Sequence, residues 1–281
     1  MTLSEKTIYG LVGSSLIKHS LSPLMHNAAF AALKINALYQ LFELRQEELE
    51  PFFGSLKENN IAGLNVTVPY KENVLGFLDK VSDEAKIIGA VNTIRVLEGV
   101  LEGFNTDGEG FIKSLKEDLG FKPQAKAIII LGAGGAARAL SVYLCKEKAA
   151  SIAIYDVDSN KAAKLAGHLK ENFKGVNVNH AGSIAGLPLG EADLLVNATP
   201  IGLKDSDPCV IDTDLLNRNI MVYDLIYNPK ETKLLKAVKE RGIRASNGLG
   251  MLLYQGMLAF EIWTGKSAPK DIMRKALEGN I

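Results

Sequence analysis

Cysteine and histidine are scarce in this sequence, and net charge is absent. The two cysteines among 281 residues, Cys145 and Cys209, make neither a C-x-x-C pair nor a disulfide framework, and Cys145 falls inside an apolar helical pattern where packing is its expected role. His19, His26, His168 and His180 lack metal-ligand spacing, which argues against a structural metal site. Lys plus Arg and Asp plus Glu stand at 32 each, so no global field draws the chain to nucleic acid or an anionic membrane over a small ligand. No apolar run reaches the roughly 18 residues of a membrane span, and Met1-Thr2-Leu3-Ser4-Glu5-Lys6 has no apolar core behind a basic start, so neither membrane insertion nor secretion is expected. The expected place is the cytoplasm. There is no internal repeat and no low-complexity linker.

What is there is organised around Ala127-Ile128-Ile129-Ile130-Leu131, an apolar run that breaks into Gly132-Ala133-Gly134-Gly135-Ala136-Ala137 and resumes as helix-favouring residues. The pattern reads as a buried parallel strand, a tight turn and the first turn of a helix. The spacing is G-x-G-x-x-A: Gly132 lets the backbone turn, Gly134 has no Cβ to hold off a pyrophosphate, and Ala137 permits close packing of helix on strand. Gly132, Ala133, Gly134, Gly135 and Ala136 are thus expected to face a dinucleotide through free helix N–H groups. A second strand, Ser151 to Tyr155, runs into Asp156 and Asp158, about where a dinucleotide fold places its ribose-binding acid.

A chain of this length suits two domains of about 100–200 residues. Strands are expected at 7–12, 37–43, 61–68 and 90–96, with helices at 23–33, 47–59 and 71–78 between them, which predicts a mostly parallel α/β sheet. Thr106-Asp107-Gly108-Glu109 has the form of a capping box and predicts a helix over 110–119. Strands near 127–131, 151–156, 176–180, 193–197 and 220–224, with helices at 135–147, 159–172 and 230–240, then predict a doubly wound sheet. Two last helices, Met251 to Thr264 and Pro269 to Leu277, serve best by returning to the first domain, with cofactor and substrate meeting in the cleft between domains.

Polar clusters stand where strand ends are expected: His19-Ser20-Leu21-Ser22-Pro23, Asn65-Val66-Thr67-Val68-Pro69-Tyr70-Lys71, Ala90-Val91-Asn92-Thr93 and Asn105-Thr106-Asp107-Gly108. In α/β sheets ligands bind beyond the carboxyl ends of strands, so these clusters are candidates to converge on one polyhydroxylated molecule. Singly, each has an ordinary alternative: Ser22 before Pro23 as a helix N-cap, Lys71 as a solvated lysine, Thr106 or Asp107 as a cap.

Together with N-A-T-P-I-G (197–202), D-L-I-Y-N-P (224–229) and N-G-L-G-M-L-x-x-Q (247–255), the clusters and the glycine turn resemble the shikimate dehydrogenase family, in the same order and over essentially the whole chain. The resemblance implies a substrate domain of residues 1–106 with 247–281 and a Rossmann domain of 107–246. It implies that Ser20 and Ser22 hold a substrate carboxylate, that Asn65, Thr67, Asn92 and Gln255 bind hydroxyls, and that Lys71 and Asp107 are the catalytic pair. It puts Tyr227 against the substrate and Thr199, Leu225 and Gly248 at the nicotinamide end. The implied activity is reversible reduction of 3-dehydroshikimate to shikimate in aromatic biosynthesis, by a monomer or homodimer. Two alternatives stand beside it: an NAD-dependent quinate/shikimate dehydrogenase acting catabolically, and a dehydrogenase-like module that senses ligand without turnover. Having both Lys71 and Asp107 argues against the sensor, and Ser22, where quinate users are expected to carry threonine, leans toward shikimate.

The cofactor is where the chain departs from its family's pattern. NADP users carry an Asn-Arg-Thr triplet after the second strand of the nucleotide domain, the arginine gripping the 2′-phosphate; here Asp156-Val157-Asp158 stands in its place. NAD or NADP is the expected cofactor, with NAD favoured, because a carboxylate accepts from ribose hydroxyls and repels a phosphate. Lys161 or Lys164 reaching the phosphate would allow dual use, and the ordinary alternative has Asp158 capping the helix and Asp156 pointing to solvent.

Overall fold

The structure is a computed structural model and describes residues 6–56 and 58–279. Residues 1–5, read above for a leader, Lys57 in the expected helix 47–59, and the last two residues of the expected substrate domain lie outside the described residues. The chain divides into two compact units: one holds the residues up to Asp107 and those from Leu252 on, the other Gly108–Met251.

The first unit opens with β1 (Thr7–Gly13), α1 (Ser22–Ala32), β2 (Ala37–Glu43), α2 (Leu49–Gly54) and β3 (Ile61–Val66). It continues with β4 (Lys80–Val81), α3 (Asp83–Ile88), β5 (Thr93–Leu97) and β6 (Val100–Phe104). Its sheet has the order β2-β1-β3-β5-β6-β4. β1 is parallel to both neighbours, whereas β5 is antiparallel to β3 and to β6. The expected strand 90–96 is therefore one arm of a hairpin, turned by Glu98 (φ 49°) and Gly99 (φ 81°). Positive φ at both central residues is the type I′ hairpin turn, and Glu-Gly announces it far less clearly than Asn-Gly.

Two expected helices are shorter than their patterns suggest. The stretch 47–59 becomes a 3₁₀ turn followed by α2, which stops at Gly54. The stretch 71–78 holds only a 3₁₀ turn over Asn73–Phe77, since Asn73 and Gly76 are poor helix formers. β3 stops at Val66, ahead of Pro69, which has no N–H for a ladder.

α4 (Asp107–Ser114) begins ahead of its expected start and runs on as a π-turn over Leu115–Leu119. The expected capping box does not form. The Thr106 N–H goes to Asn92 Oδ1 at 2.8 Å, and Glu109 pairs with Lys113, so a tertiary acceptor has replaced the local one.

The second unit continues with β7 (Ala127–Leu131), α5 (Gly135–Lys146), β8 (Ser151–Tyr155), α6 (Ser159–Asn172), β9 (Asn177–His180), β10 (Leu194–Asn197), β11 (Met221–Asp224), α7 (Lys233–Glu240) and β12 (Ala245–Ser246). Its sheet has the order β12-β11-β10-β7-β8-β9, with every pairing parallel. This is the doubly wound order, reversing direction between β7 and β10. Ile128, Ile129, Ile130 and Leu131 are all buried, which accounts for an unbroken apolar run in a strand covered on both faces. α7 begins at Lys233 because the Thr232 hydroxyl accepts from the Leu235 N–H.

α8 (Leu249–Thr264) starts in the second unit and ends in the first, and α9 (Lys270–Glu278) packs on α1. Trp263 of α8 donates its indole N–H to the Ile94 carbonyl at 2.9 Å. Its ring lies on Gly63, where an added Cβ would come within 2.5 Å. The last helices thus cover the first sheet. Among the described residues, no helix is long and apolar enough to cross a membrane.

Candidate active site

In the first unit, β3 and β6 run parallel to each other with the antiparallel β5 between them. The carboxyl ends of β3 and β6 and the amino end of β5 therefore share one edge of the sheet. That edge carries Thr67 to Lys71, Asn105 to Asp107, and Asn92. At its centre the Lys71 ammonium donates to Asp107 Oδ2 at 2.5 Å, with side chains only 12% and 5% exposed. A charge-assisted bond this sheltered fixes both groups in one geometry.

Asn92 organises the pair. Its Nδ2 donates to Asp107 Oδ1 at 2.8 Å and Thr106 Oγ1 at 3.0 Å, with Gln255 Oε1 of α8 at 3.5 Å. Its Oδ1 accepts from the Thr106 N–H and the Thr93 hydroxyl. The Asp107 N–H is held in turn by Asn105 Oδ1 at 3.1 Å. The network continues inward to Asn65, whose Nδ2 donates to the Asn92 carbonyl and Thr93 Oγ1. Asn65 Oδ1 accepts from the Tyr39 hydroxyl at 2.8 Å. Buried amides must have such partners, because a lone one costs about 1–3 kcal/mol.

Among the residues singled out from the sequence, Asn65, Lys71, Asn92, Asp107 and Gln255 therefore sit in one bonded cluster. Ser20 and Ser22 bond to each other, Oγ to Oγ at 3.2 Å, and Ser22 is buried. Thr67 donates its N–H to the Val12 carbonyl. Both Asn65 and Asn92 have their amide hydrogens engaged within the protein, so they orient neighbours as much as they offer contacts. Tyr39 is the participant that the residue pattern does not announce. Its only signal is a tyrosine within an apolar strand, whose buried hydroxyl must find a partner.

In the second unit the glycine turn has the geometry of an anion cradle. Gly132 has φ 104°, and a Cβ there would meet the Ala198 carbonyl at 2.7 Å, so glycine is required on both counts. Gly134 is the N-cap of α5 and no side chain caps that helix. A Cβ added at Gly134 would project into open space, the space a pyrophosphate would fill before uncapped N–H groups. This donor set fits a dinucleotide. Asp156 Oδ2 accepts from the Ala133 N–H at 2.8 Å and Oδ1 from the Asp158 N–H at 2.9 Å, which brings this carboxylate to the rim of the glycine loop. Asp158, expected with Asp156 near the ribose, is the N-cap of α6, accepting from the Asn160 and Lys161 N–H groups. A carboxylate at that position of a helix has strong local donors to satisfy.

On the same sheet edge, after the neighbouring strand β10, Thr199 donates its hydroxyl to Asn197 Oδ1 at 2.7 Å. The Leu225 N–H bonds the Asn197 carbonyl, and the Gly248 N–H bonds the Ile226 carbonyl. A Cβ on Gly248 would overlap the Leu225 carbonyl at 2.0 Å. Tyr227 is half-buried in the loop after β11. No group of three or more metal-ligating side chains occurs among the described residues.

Comparison with known proteins agrees with this fold. Residues 11–94 match the family model described as the shikimate dehydrogenase substrate binding domain, and residues 248–278 match the shikimate 5'-dehydrogenase C-terminal domain. The chain is 44% identical to shikimate dehydrogenase (NADP(+)) of Methanopyrus kandleri, over 98% of this chain and 96% of that protein. A solved structure of shikimate dehydrogenase in complex with NADP+ superposes with a TM-score of 0.91 at 38% identity, covering 98% of this chain and 96% of the other. Shikimate 5-dehydrogenase from Listeria monocytogenes in complex with shikimate and NAD superposes at 0.85 with 35% identity, covering 97% and 96%.

Proposed function

This chain belongs to the shikimate dehydrogenase family, and on that premise we propose that it interconverts 3-dehydroshikimate and shikimate for aromatic biosynthesis in the cytoplasm. It is an oxidoreductase acting on a CH–OH group with a nicotinamide dinucleotide. The observation that carries the reading is the sheltered Lys71–Asp107 pair at 2.5 Å, held by Asn92 at one sheet edge.

When bound, the nicotinamide supplies a hydride to the ketone carbon in reduction and takes one back in oxidation. The protein must meet the charge that develops on oxygen as the C=O π pair moves onto it. Lys71 Nζ is the group that donates the proton, and in oxidation it receives the proton from the hydroxyl. Asp107 holds the ammonium in place through its Oδ2, while Asn92 bonds the carboxylate and Asn105 holds the Asp107 N–H. Ser20 and Ser22 receive the substrate carboxylate, and Thr67, Gln255 and the Asn65–Asn92 amides face its ring hydroxyls. Tyr227 lies against the substrate. Hydroxyls and amides built to match a polyol discriminate strongly, because a ligand lacking one hydroxyl leaves a buried group unpaired.

Gly132, Ala133, Gly134, Gly135 and Ala136 hold the pyrophosphate, and Thr199, Leu225 and Gly248 the nicotinamide end. NAD is the preferred cofactor. Asp156 stands at the rim of the glycine loop with oxygen lone pairs left for ribose hydroxyls, and Val157, in the place of the phosphate-binding arginine, is 86% exposed. A 2′-phosphate about 4–5 Å from that carboxylate meets a repulsion of roughly 2–4 kcal/mol at an effective dielectric of about 20–40.

Absorbance assays with shikimate and quinate, each against NAD and NADP, test the whole reading. Turnover of shikimate with NAD is expected, and Asp156→Asn with Val157→Arg should move preference toward NADP. Absence of turnover with either cofactor defeats the activity. A wild-type preference for NADP by roughly tenfold or more, about 1.4 kcal/mol, defeats the role of Asp156 alone. Faster turnover of quinate would favour the catabolic alternative.

A further inference from the structure

β10 and β11 are apolar strands that each end in a polar residue, Leu-Leu-Val-Asn and Met-Val-Tyr-Asp. Those last residues, Asn197 and Asp224, lie directly opposite each other in the parallel register and are completely buried. Neither has surface to offer a ligand. A buried amide and a buried carboxylate are costly unless every lone pair and hydrogen is used, and a sheet end is filled more simply by apolar side chains.

What the pair has that apolar side chains lack is direction. Asn197 Nδ2 donates to Asp224 Oδ1 at 3.0 Å and to the Ile201 carbonyl at 3.2 Å. Asn197 Oδ1 accepts from the N–H and the hydroxyl of Thr199 at 3.1 and 2.7 Å. Asp224 Oδ1 also accepts from the Ile226 N–H at 3.1 Å, and Oδ2 from the Thr232 hydroxyl at 2.7 Å. Two adjoining side chains thus tie both ends of the loop 199–201 and both ends of the loop 226–232, and they tie the loops to each other. The Ile226 carbonyl then receives the Gly248 N–H.

We infer that Asn197 and Asp224 are positioning residues for the nicotinamide end of the cofactor, acting through Thr199, Leu225 and Gly248 without touching the ligand. The inference rests on the cofactor reading given above. It separates the two ends of the nucleotide: the glycine turn and Asp156 serve the adenosine and pyrophosphate, and the Asn197–Asp224 pair serves the nicotinamide riboside.

Binding to purified full-length protein tests it. NADH affinity is read by fluorescence titration and ADP-ribose affinity by calorimetry, in wild type, Asn197→Ala, Asn197→Asp and Thr232→Val; NADPH and 2′-phospho-ADP-ribose replace them if the phosphorylated cofactor binds better. Asn197→Asp keeps the volume but sets a second carboxylate against Asp224. Thr232→Val leaves the pair intact and removes one bond to it, so it reports even if the Asn197 variants do not fold. The expected result is weakening of NADH by about tenfold or more in the Asn197 variants, the scale of one lost buried hydrogen bond. Thr232→Val should weaken it less, and ADP-ribose affinity should stay the same throughout. Equal weakening of both ligands, or of neither, overturns the inference while leaving the cofactor reading in place. Wild-type protein that binds neither ligand overturns both.

Discussion

Lys71 and Asp107 are bonded to each other, and the proposed chemistry turns on that pair. Replacing either by alanine should lower turnover by about two to four decades, the usual range for losing a general acid/base group, with the fold intact. Steady-state rates alongside circular dichroism check this; near-normal turnover in a folded variant removes the pair from the mechanism, and a rise confined to KM makes them binders. That the two residues meet was legible because lysine and aspartate stand in clusters that match a family pattern. Tyr39 was not legible. Its role arises from a hydrogen bond to Asn65 26 positions away, and a tyrosine in a half-apolar strand looks like any other packed aromatic. Asp158 has two readings in the sequence, ribose contact and N-cap, and its local bonds make it the N-cap of α6.

Elements, more than single side chains, decide which glycines serve structure and which serve ligand. Gly132 and Gly134 are two positions apart in the same turn but differ in what surrounds them. Gly132→Ala should destabilise folding by about 1–3 kcal/mol, because φ of 104° and the Ala198 carbonyl both oppose a Cβ. Gly134→Ala should leave the thermal midpoint nearly unchanged and weaken dinucleotide binding, since its Cβ meets only the space the pyrophosphate needs. Thermal melts with nucleotide titration separate the two; a Gly134→Ala protein that binds as tightly as wild type would show that the phosphate lies elsewhere. The parallel sheet was legible because its central strand β7 is a continuous apolar run broken by glycines. The β5–β6 hairpin and the start of α4 were not, since Glu98-Gly99 is a faint turn signal and the Thr106 N–H goes to a tertiary acceptor, Asn92.

At the scale of the whole molecule, His26 links stability to pH. It is fully buried, stacked on Tyr39 at 4.5 Å, and neither ring nitrogen has a hydrogen-bond partner among the described residues. Burial lowers its pKa to about 3. An unfolded histidine takes up its proton near 6.5, so between those values the unfolded state holds one more proton than the folded state. Stability contributed by this residue is therefore undiminished above pH about 6.5 and falls by about 1.4 kcal/mol per unit below it. Urea unfolding at pH 7 and at pH 4.5 should show wild type losing roughly 2–3 kcal/mol more than His26→Phe. Parallel losses in the two proteins would assign the acid sensitivity to other groups.

The division of the chain also has a consequence in time. The second unit is continuous, Gly108–Met251, but the first is completed only by residues from Leu252 on. During synthesis the strands up to β6 leave the ribosome before the helices that cover them, and they wait while the whole second unit is made. At about 5–20 residues per second that wait is on the order of ten seconds. Through it, Gly63 and the Ile94 carbonyl have no Trp263 above them, and Asn92 has no Gln255 beside it. The nascent chain thus carries, while its second unit is being made, a first sheet that lacks the cover of α8, the kind of surface that chaperones hold and aggregates recruit.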